Sequence, residues 1–340
     1  MLDSSNNAPA LGPESEPRAS RSSKQNPRSC EAVKPLTKAN AALIPQIASE
    51  AAFTNKLLRE VAFYADENVL ILNMDVREAM AHLARAGVIV NCIVTSPPFY
   101  GQRDYGVDGQ IGLEEHPRDF VSNLVECFEA SRSVLAENGS LWVNLGDTYW
   151  SGKGEHKSGE GKQGARRFGL RPQDRTGDGE LCKPKQLLLI PHRFAIAMQD
   201  RDWLVRNDNV WVKPNPIPDQ VRDRCSMSHE YVFHLVKSRW YYFNKEAVGR
   251  KSSSGSVMPP TDTWEIAPAR SSHKHKARFS EELVRIPILS TTPPHGVVLD
   301  PFGGSGTSLM FARKHGFRAI GIDLKKEFCQ LMVEQLRTLD

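Results

Sequence analysis

The chain has 340 residues, 40% hydrophobic and 25% charged, the balance of an ordinary folded protein rather than a collagenous, wholly disordered or disulfide-scaffold chain. Its formal charge of +4 is too small to announce a polyanion-binding surface unless it is concentrated somewhere. No apolar run approaches the roughly 18 residues that span a bilayer, and six scattered cysteines without a C-x-x-C pair read as reduced thiols of a cytoplasmic protein with no metal site.

Residues 1–45 are Ser-, Pro-, Asn- and Ala-rich and contain no aromatic side chain, the composition of a disordered tail. Ala41–Arg59 is predicted helical despite Pro45. From Asn68 the pattern changes to short apolar strands alternating with helices. Val69–Leu72 is a strand ending near Asp75, Val76–Ala86 a helix, and Val88–Val94 a second strand leading into Thr95-Ser96-Pro97-Pro98-Phe99. Phe120–Leu135 has helical spacing, closed by Asn138-Gly139, and Leu141–Leu145 is a third strand. Such alternation predicts an α/β fold with a parallel sheet covered on both faces.

Residues 151–185 break the pattern. They hold eight glycines, nine Lys/Arg and five Asp/Glu, so this one segment carries a net +4 and the rest of the chain balances to zero. A loop of that length inside a folded domain is usually functional or disordered. Leu187–Arg201 resumes as a helix, and Trp203–Lys213 and Glu230–Lys237 are predicted strands around the Pro214–Pro218 turn. Residues 241–275 are again polar, basic and Ser-rich. The last unit runs from strand Val297–Leu299 through a glycine loop and helix Ser308–His315 to strand Ala319–Ile322, Asp323 and helix Lys326–Leu336.

Two loops carry chemistry. In Asp300-Pro301-Phe302-Gly303-Gly304-Ser305-Gly306-Thr307, glycines between a strand and a helix let backbone approach a ligand. Asp323 ends the next strand, 20 residues after Gly303, where a carboxylate can accept both hydroxyl hydrogens of a ribose. The G-x-G-x-x-G fingerprint, the P-loop and the hydrolase elbow all fail on spacing; a strand–helix turn holding no ligand is the alternative. In the other loop, Ser96, the Pro97 carbonyl and the Phe99 face offer two acceptors and a stacking surface on a stiff Pro97-Pro98 turn. That set suits a planar ring bearing an –NH₂. A proline-terminated strand with a buried Phe is the alternative.

Together these two motifs, in this order, resemble the amino-methylating DNA methyltransferases of the β class, over roughly residues 68–337. The Ser-Pro-Pro form is similar to the cytosine-N4 enzymes of type II restriction–modification systems; an Asp or Asn there is more typical of adenine-N6 enzymes. The resemblance implies a Rossmann-like methyltransferase sheet in circularly permuted motif order, occupying 46–340. It implies S-adenosylmethionine as cofactor, held by Thr95, Asp300, Pro301, Phe302, Gly303, Gly304, Ser305, Gly306 and Thr307, with Asp75 near the adenine and Asp323 on the ribose. His275–Leu283 is similar to the segment that feeds this pocket, which brings in His275 and Phe279, although Ser280 stands where the family usually has Pro. Trp211–Pro216 and His229-Glu230-Tyr231 resemble motifs beside the target base. His229 and His234 do not make H-E-x-x-H, so zinc hydrolysis is not implied.

Ser96, Pro97, Pro98 and Phe99 are thus the candidate catalytic residues. Methyl transfer from the cofactor to a flipped cytosine would be direct, because no Pro-Cys nucleophile is present. Double-stranded DNA is the expected partner, contacted by Arg103, Lys153, Arg166, Arg167, Arg171, Lys213, Lys245, Arg250 and Lys251, with insertions 151–185 and 241–275 competing as the target-recognition region. A cognate endonuclease is expected to act separately, and the protein to be a monomer or dimer. Adenine-N6 methylation, a silent nucleic-acid-binding protein, and methylation of RNA or a small molecule are the competing functions.

Overall fold

A computed structural model describes residues 53–152, 171–216, 221–268 and 280–339, all within one unit, Lys38–Asp340. The first half comprises α1 (Lys56–Val61), β1 (Tyr64–Ala65), β2 (Val69–Leu72), α2 (Val76–Arg85), β3 (Val90–Thr95), α3 (Pro117–Ser131), β4 (Leu135–Leu145) and α4 (Ile190–Gln199). The second comprises β5 (Leu204–Val212), β6 (His229–Val236), α5 (Lys245–Val248), β7 (Arg250–Lys251), β8 (Val257–Met258), β9 (Thr263–Glu265), α6 (Glu281–Thr291), β10 (Val297–Asp300), α7 (Thr307–Lys314), β11 (Arg318–Ile322) and α8 (Lys326–Leu336).

The apolar runs become the centre of a sheet ordered β1-β2-β11-β10-β3-β4-β6-β5-β9. β2, β11, β10, β3 and β4 are mutually parallel, and β6 is antiparallel between β4 and β5. Strand periodicity of two divides each run between the faces. Leu70, Leu72, Ile93, Leu299 and Ile320 face α2, α3 and α4, whereas Val69, Ile71, Cys92, Val94 and Val298 face α6, α7 and α8. Burial on both sides is why these strands read as continuous apolar runs, each large side chain contributing about 1.5–3 kcal/mol.

Several predicted boundaries move for local reasons. Asn55 caps α1 through its side chain, so the Ala41–Arg59 prediction breaks there, and its residues 41–52, like the predicted tail, lie outside the described residues. Pro117 starts α3 earlier than predicted and the helix ends at Ser131. Asn138-Gly139 then falls inside β4, because Val90 pairs with Leu135 and Cys92 with Ser140, leaving 136–139 as a bulge. Leu189, at φ 55, and Pro191 in the first turn delay α4 to Ile190. The polar 241–268 stretch is not loop throughout. It folds into α5, the β7–β8 hairpin and β9, burying Val248 and Trp264, and β9 joins the sheet beside β5. The helix α6 forms despite Pro287 within it, with Ser280 capping its amino end.

The chain leaves β3 toward β4 on one side of the sheet and leaves β10 toward β11 on the other. The loops after β3 and β10 therefore part from each other at the carboxyl ends of the strands, the place where open α/β sheets hold ligands.

Candidate active site

A cleft of about 430 Å³ opens at this point. Ser96, Pro98 and Phe99 from the loop after β3 form one wall, and Pro301, Phe302, Gly303, Gly304 and Ser305 from the loop after β10 form another. Asp75 and Asp323, from the ends of the two neighbouring units, line it as well. The two loops read separately from sequence thus share one cavity.

A buried carboxylate ties them together. Asp300 accepts from Thr95 Oγ1 at 2.6 Å, from the Phe302 backbone N–H at 3.1 Å and from the Ser308 hydroxyl. Burial raises its pKa, opposed by those donors. Asp300 and Thr95 do not line the cleft, nor do Pro97, Gly306 and Thr307. Pro97 is buried, and Gly306, at φ 77, is the N-cap of α7. These residues shape the loops from behind.

Asp323 stands at the end of β11. Its Oδ2 accepts from Gly304 N–H at 2.9 Å and its Oδ1 from Lys325 N–H at 2.8 Å. Burial pushes its pKa up to about 6, with the backbone donors pulling the other way. Asp75 differs from its sequence reading. β2 ends at Leu72, and Asp75 is the N-cap of α2, paired to Arg77 at 3.0 Å, a contact that holds its carboxyl below the ordinary value. Tyr105 covers this end of the cleft: its carbonyl accepts from Lys325 Nζ at 2.7 Å and its ring meets the edge of Phe328 at 5.8 Å.

The other end is polar and tightly ordered. Ser96 Oγ donates to Asn144 Oδ1 at 2.9 Å. Asn144 Nδ2 donates to Glu230 Oε2 and to the Tyr231 carbonyl, each at 3.1 Å. The Lys213 ammonium, 4.8 Å above the Trp211 ring, pairs with Glu230 Oε1. Phe99 packs on Gly146, where a Cβ would come within 2.7 Å of its ring. Sequence reasoning missed Asn144 altogether. The one available signal was a polar residue in the buried run Leu141–Leu145.

The candidate DNA contacts separate. Arg103 and Lys213 line the cleft. Arg171 instead grips the buried Asp174 through two bonds of 2.8 and 2.9 Å, and the neighbouring Gln173 donates to the Gly101 carbonyl at 3.2 Å, just beyond Phe99. The described end of the 151–185 insertion is thus packed on the catalytic loop. Lys245, Arg250 and Lys251 do not line the cleft. Their segment is anchored by Tyr242 N–H on the Asn138 carbonyl and Asn244 N–H on the Ser290 carbonyl, at the amino ends of the parallel strands. Lys153, Arg166, Arg167, His275 and Phe279 lie outside the described residues. Among the described residues, one His/Asp/Cys cluster, His116, Asp178 and Cys182, comes together elsewhere. There Nδ1 of His116 accepts from Arg118 N–H, so Nε2 carries the proton and donates to Asp178, leaving no ring lone pair for a cation.

Among the described residues no helix is long and apolar enough to cross a membrane. The DNA methylase family model, covering N6 and N4 methyltransferases, matches residues 90–334. The type II methyltransferase M.Cfr9I of Citrobacter freundii is 41% identical over 251 residues, covering 74% of this chain and 82% of that protein. The solved PvuII DNA methyltransferase (cytosine-N4-specific) shares the fold at TM-score 0.58 and 19% identity, covering 81% of this chain and 88% of the other. The M1.HpyAVI–SAM complex does so at TM-score 0.52 and 19% identity, covering 79% and 98%. A mixed sheet whose parallel centre holds a cleft between a Ser-Pro-Pro-Phe loop and a glycine loop, in a chain matched by sequence over most of its length, places the chain in the DNA methylase family of type II N6/N4 methyltransferases.

Proposed function

We propose that this DNA methyltransferase modifies the N4 amino group of cytosine in a specific double-stranded sequence, so protecting DNA from a restriction endonuclease that acts separately. The methyl donor is S-adenosylmethionine, which supplies a methyl group already activated on a sulfonium. The cleft fits it chemically: a carboxylate at the end of β11 suits ribose hydroxyls, and the Gly303-Gly304 backbone leaves close approach open. Asp323 would take the ribose, Asp75 would lie toward the adenine, and Phe302 and Ser305 would complete the wall.

The observation that carries the amino-base reading is the Ser96–Asn144 hydrogen bond, and the choice of cytosine over adenine rests on serine standing first in the Ser-Pro-Pro-Phe loop. The hydroxyl has one hydrogen and spends it on Asn144, so it turns lone pairs to the cleft as a neutral acceptor for an –NH₂. An exocyclic amine is a poor nucleophile because its lone pair is delocalised into the ring. Accepting its N–H favours the positive charge that grows on nitrogen during attack. Phe99 would hold the flipped ring by stacking, and orientation supplies much of the remaining rate. Arg103 and Lys213, which line the cleft, would contact the backbone or the flipped nucleotide. The PvuII enzyme's stated cytosine-N4 specificity supports the same assignment.

Incubation with labelled S-adenosylmethionine and unmethylated DNA, followed by digestion to nucleosides, tests it. N4-methylcytosine is the expected labelled product. N6-methyladenine would transfer the site to the other amino base, and absence of label in DNA would refute both.

A further inference from the structure

We infer that Glu230 is a positioning residue which, through Asn144, sets the hydrogen-bond polarity of Ser96 and so makes the site select an amino base over a keto base. The inference rests on the reading of Ser96 as acceptor for the target amine.

An asparagine amide can be turned end for end with almost no change in shape, so its neighbours decide which atom faces which way. Here Nδ2 has two partners, the Glu230 carboxylate and the Tyr231 carbonyl, and both are acceptors only. Turning the amide would set Oδ1 3.1 Å from each of them, oxygen against oxygen. Asn144 Oδ1 is therefore committed to Ser96, and the Ser96 hydrogen is committed to Asn144. With the amide reversed, Ser96 would accept from Nδ2 and its hydrogen would be released toward the cleft. That arrangement would greet the carbonyl of thymine or guanine and oppose the –NH₂ of cytosine.

Tyr231 contributes a backbone carbonyl fixed by the β4–β6 ladder, which no side-chain change removes. Glu230 is the adjustable part. Its side chain is 15% exposed and its second oxygen is held by Lys213, so the carboxylate cannot swing away to solvent. Lys213, Glu230, Asn144 and Ser96 form a chain in which each group has one orientation. Glu230 does not touch the base in this scheme; it acts two residues removed from it.

The test is single-turnover methyl transfer at saturating DNA and S-adenosylmethionine, with cofactor affinity and melting temperature measured on each variant. Glu230→Ala should lose about ten- to a hundredfold in rate, the equivalent of one hydrogen bond to a charged group, with cofactor affinity unchanged. Glu230→Gln, which keeps an acceptor for Asn144, should recover most of that loss. In a Ser96→Ala background, Glu230→Ala should cost nothing more, because its route to the base has been removed; a purely structural role would give the same loss in both backgrounds. If Glu230→Ala does not fold, Glu230→Met keeps the bulk while withdrawing the acceptor, and should show the same loss. Full rate in Glu230→Ala, or an undiminished loss in the Ser96→Ala background, overturns the inference alone. Full rate in Ser96→Ala overturns it together with the acceptor reading.

Discussion

Replacing Gly146 with alanine tests whether Phe99 has to stand where it does. Gly146 does not have a left-handed φ, so alanine introduces no backbone strain and the effect is one of contact. The new Cβ would lie 2.7 Å from Phe99 Cε2 and 2.9 Å from Cδ2, with Glu230 Cγ at 3.4 Å. Carbon atoms settle at about 3.5–4.0 Å, so the ring must withdraw by about 1 Å. Phe99 is half-buried and borders the cleft, so it can yield in that direction without disrupting the core. A misplacement of about 1 Å in a group that positions substrate costs about 10²-fold in rate. Single-turnover methylation of duplex DNA should fall by that order, while melting temperature and cofactor affinity stay at parental values. A parental rate would refute the claim that Phe99 positions the base; a collapse in melting temperature would show that the ring belongs to the core instead.

Other outcomes follow from the same geometry. Asp323→Ala should weaken S-adenosylmethionine binding in calorimetry, and parental affinity would remove Asp323 from the cofactor site. Because burial holds the Asp323 pKa at about 6, well above the ordinary carboxylate value, parental cofactor affinity should be level above that pH. It should decline as pH falls through it, since the carboxylate that accepts ribose hydroxyls is then protonated; a flat profile between pH 5 and pH 7 on the order of measurement error would contradict this. Thr95→Val keeps shape but withdraws a donor from the buried Asp300, and denaturant unfolding should report a loss of about 1–3 kcal/mol. Arg171→Ala should lower stability by a similar amount, about 1–3 kcal/mol, while leaving the salt dependence of DNA affinity unchanged; a shallower salt slope would return Arg171 to the phosphate contacts.

The centre of this fold was legible because burial on both faces forces continuous apolar runs, such as Val69–Leu72 and Val297–Leu299, set between helices of a different period. Both cleft loops were legible for a different reason. Glycine and proline restrict backbone shape so strongly that their spacing survives as a pattern. The polar end of the site was not legible in the same way. Asn144 interrupts Leu141–Leu145 by one residue, and only the pairing of β4 with β6 brings it to Glu230. Charge was a poor guide to position. Arg171 and Lys213 are equally basic in sequence, yet one neutralises a buried aspartate three residues on and the other reaches the cleft, a difference set by burial of the partner and not by the charge itself. The 241–268 segment misled because its buried residues, Val248 and Trp264, are single apolar side chains in polar surroundings, too sparse to establish a period.

The hydrogen bond between Thr95 and Asp300 joins positions 205 residues apart in the chain. β3 and β10 are neighbours in the finished sheet, but β4, β5, β6 and β9 all come between them in the chain. Until β10 arrives, β3 has one open edge with unpaired backbone groups. Such an edge is a site of mispairing, and closing it depends on a slow, distant encounter. The cleft, whose two loops leave these two strands, is therefore complete only once this long-range pairing has formed, however early β3 and β4 meet.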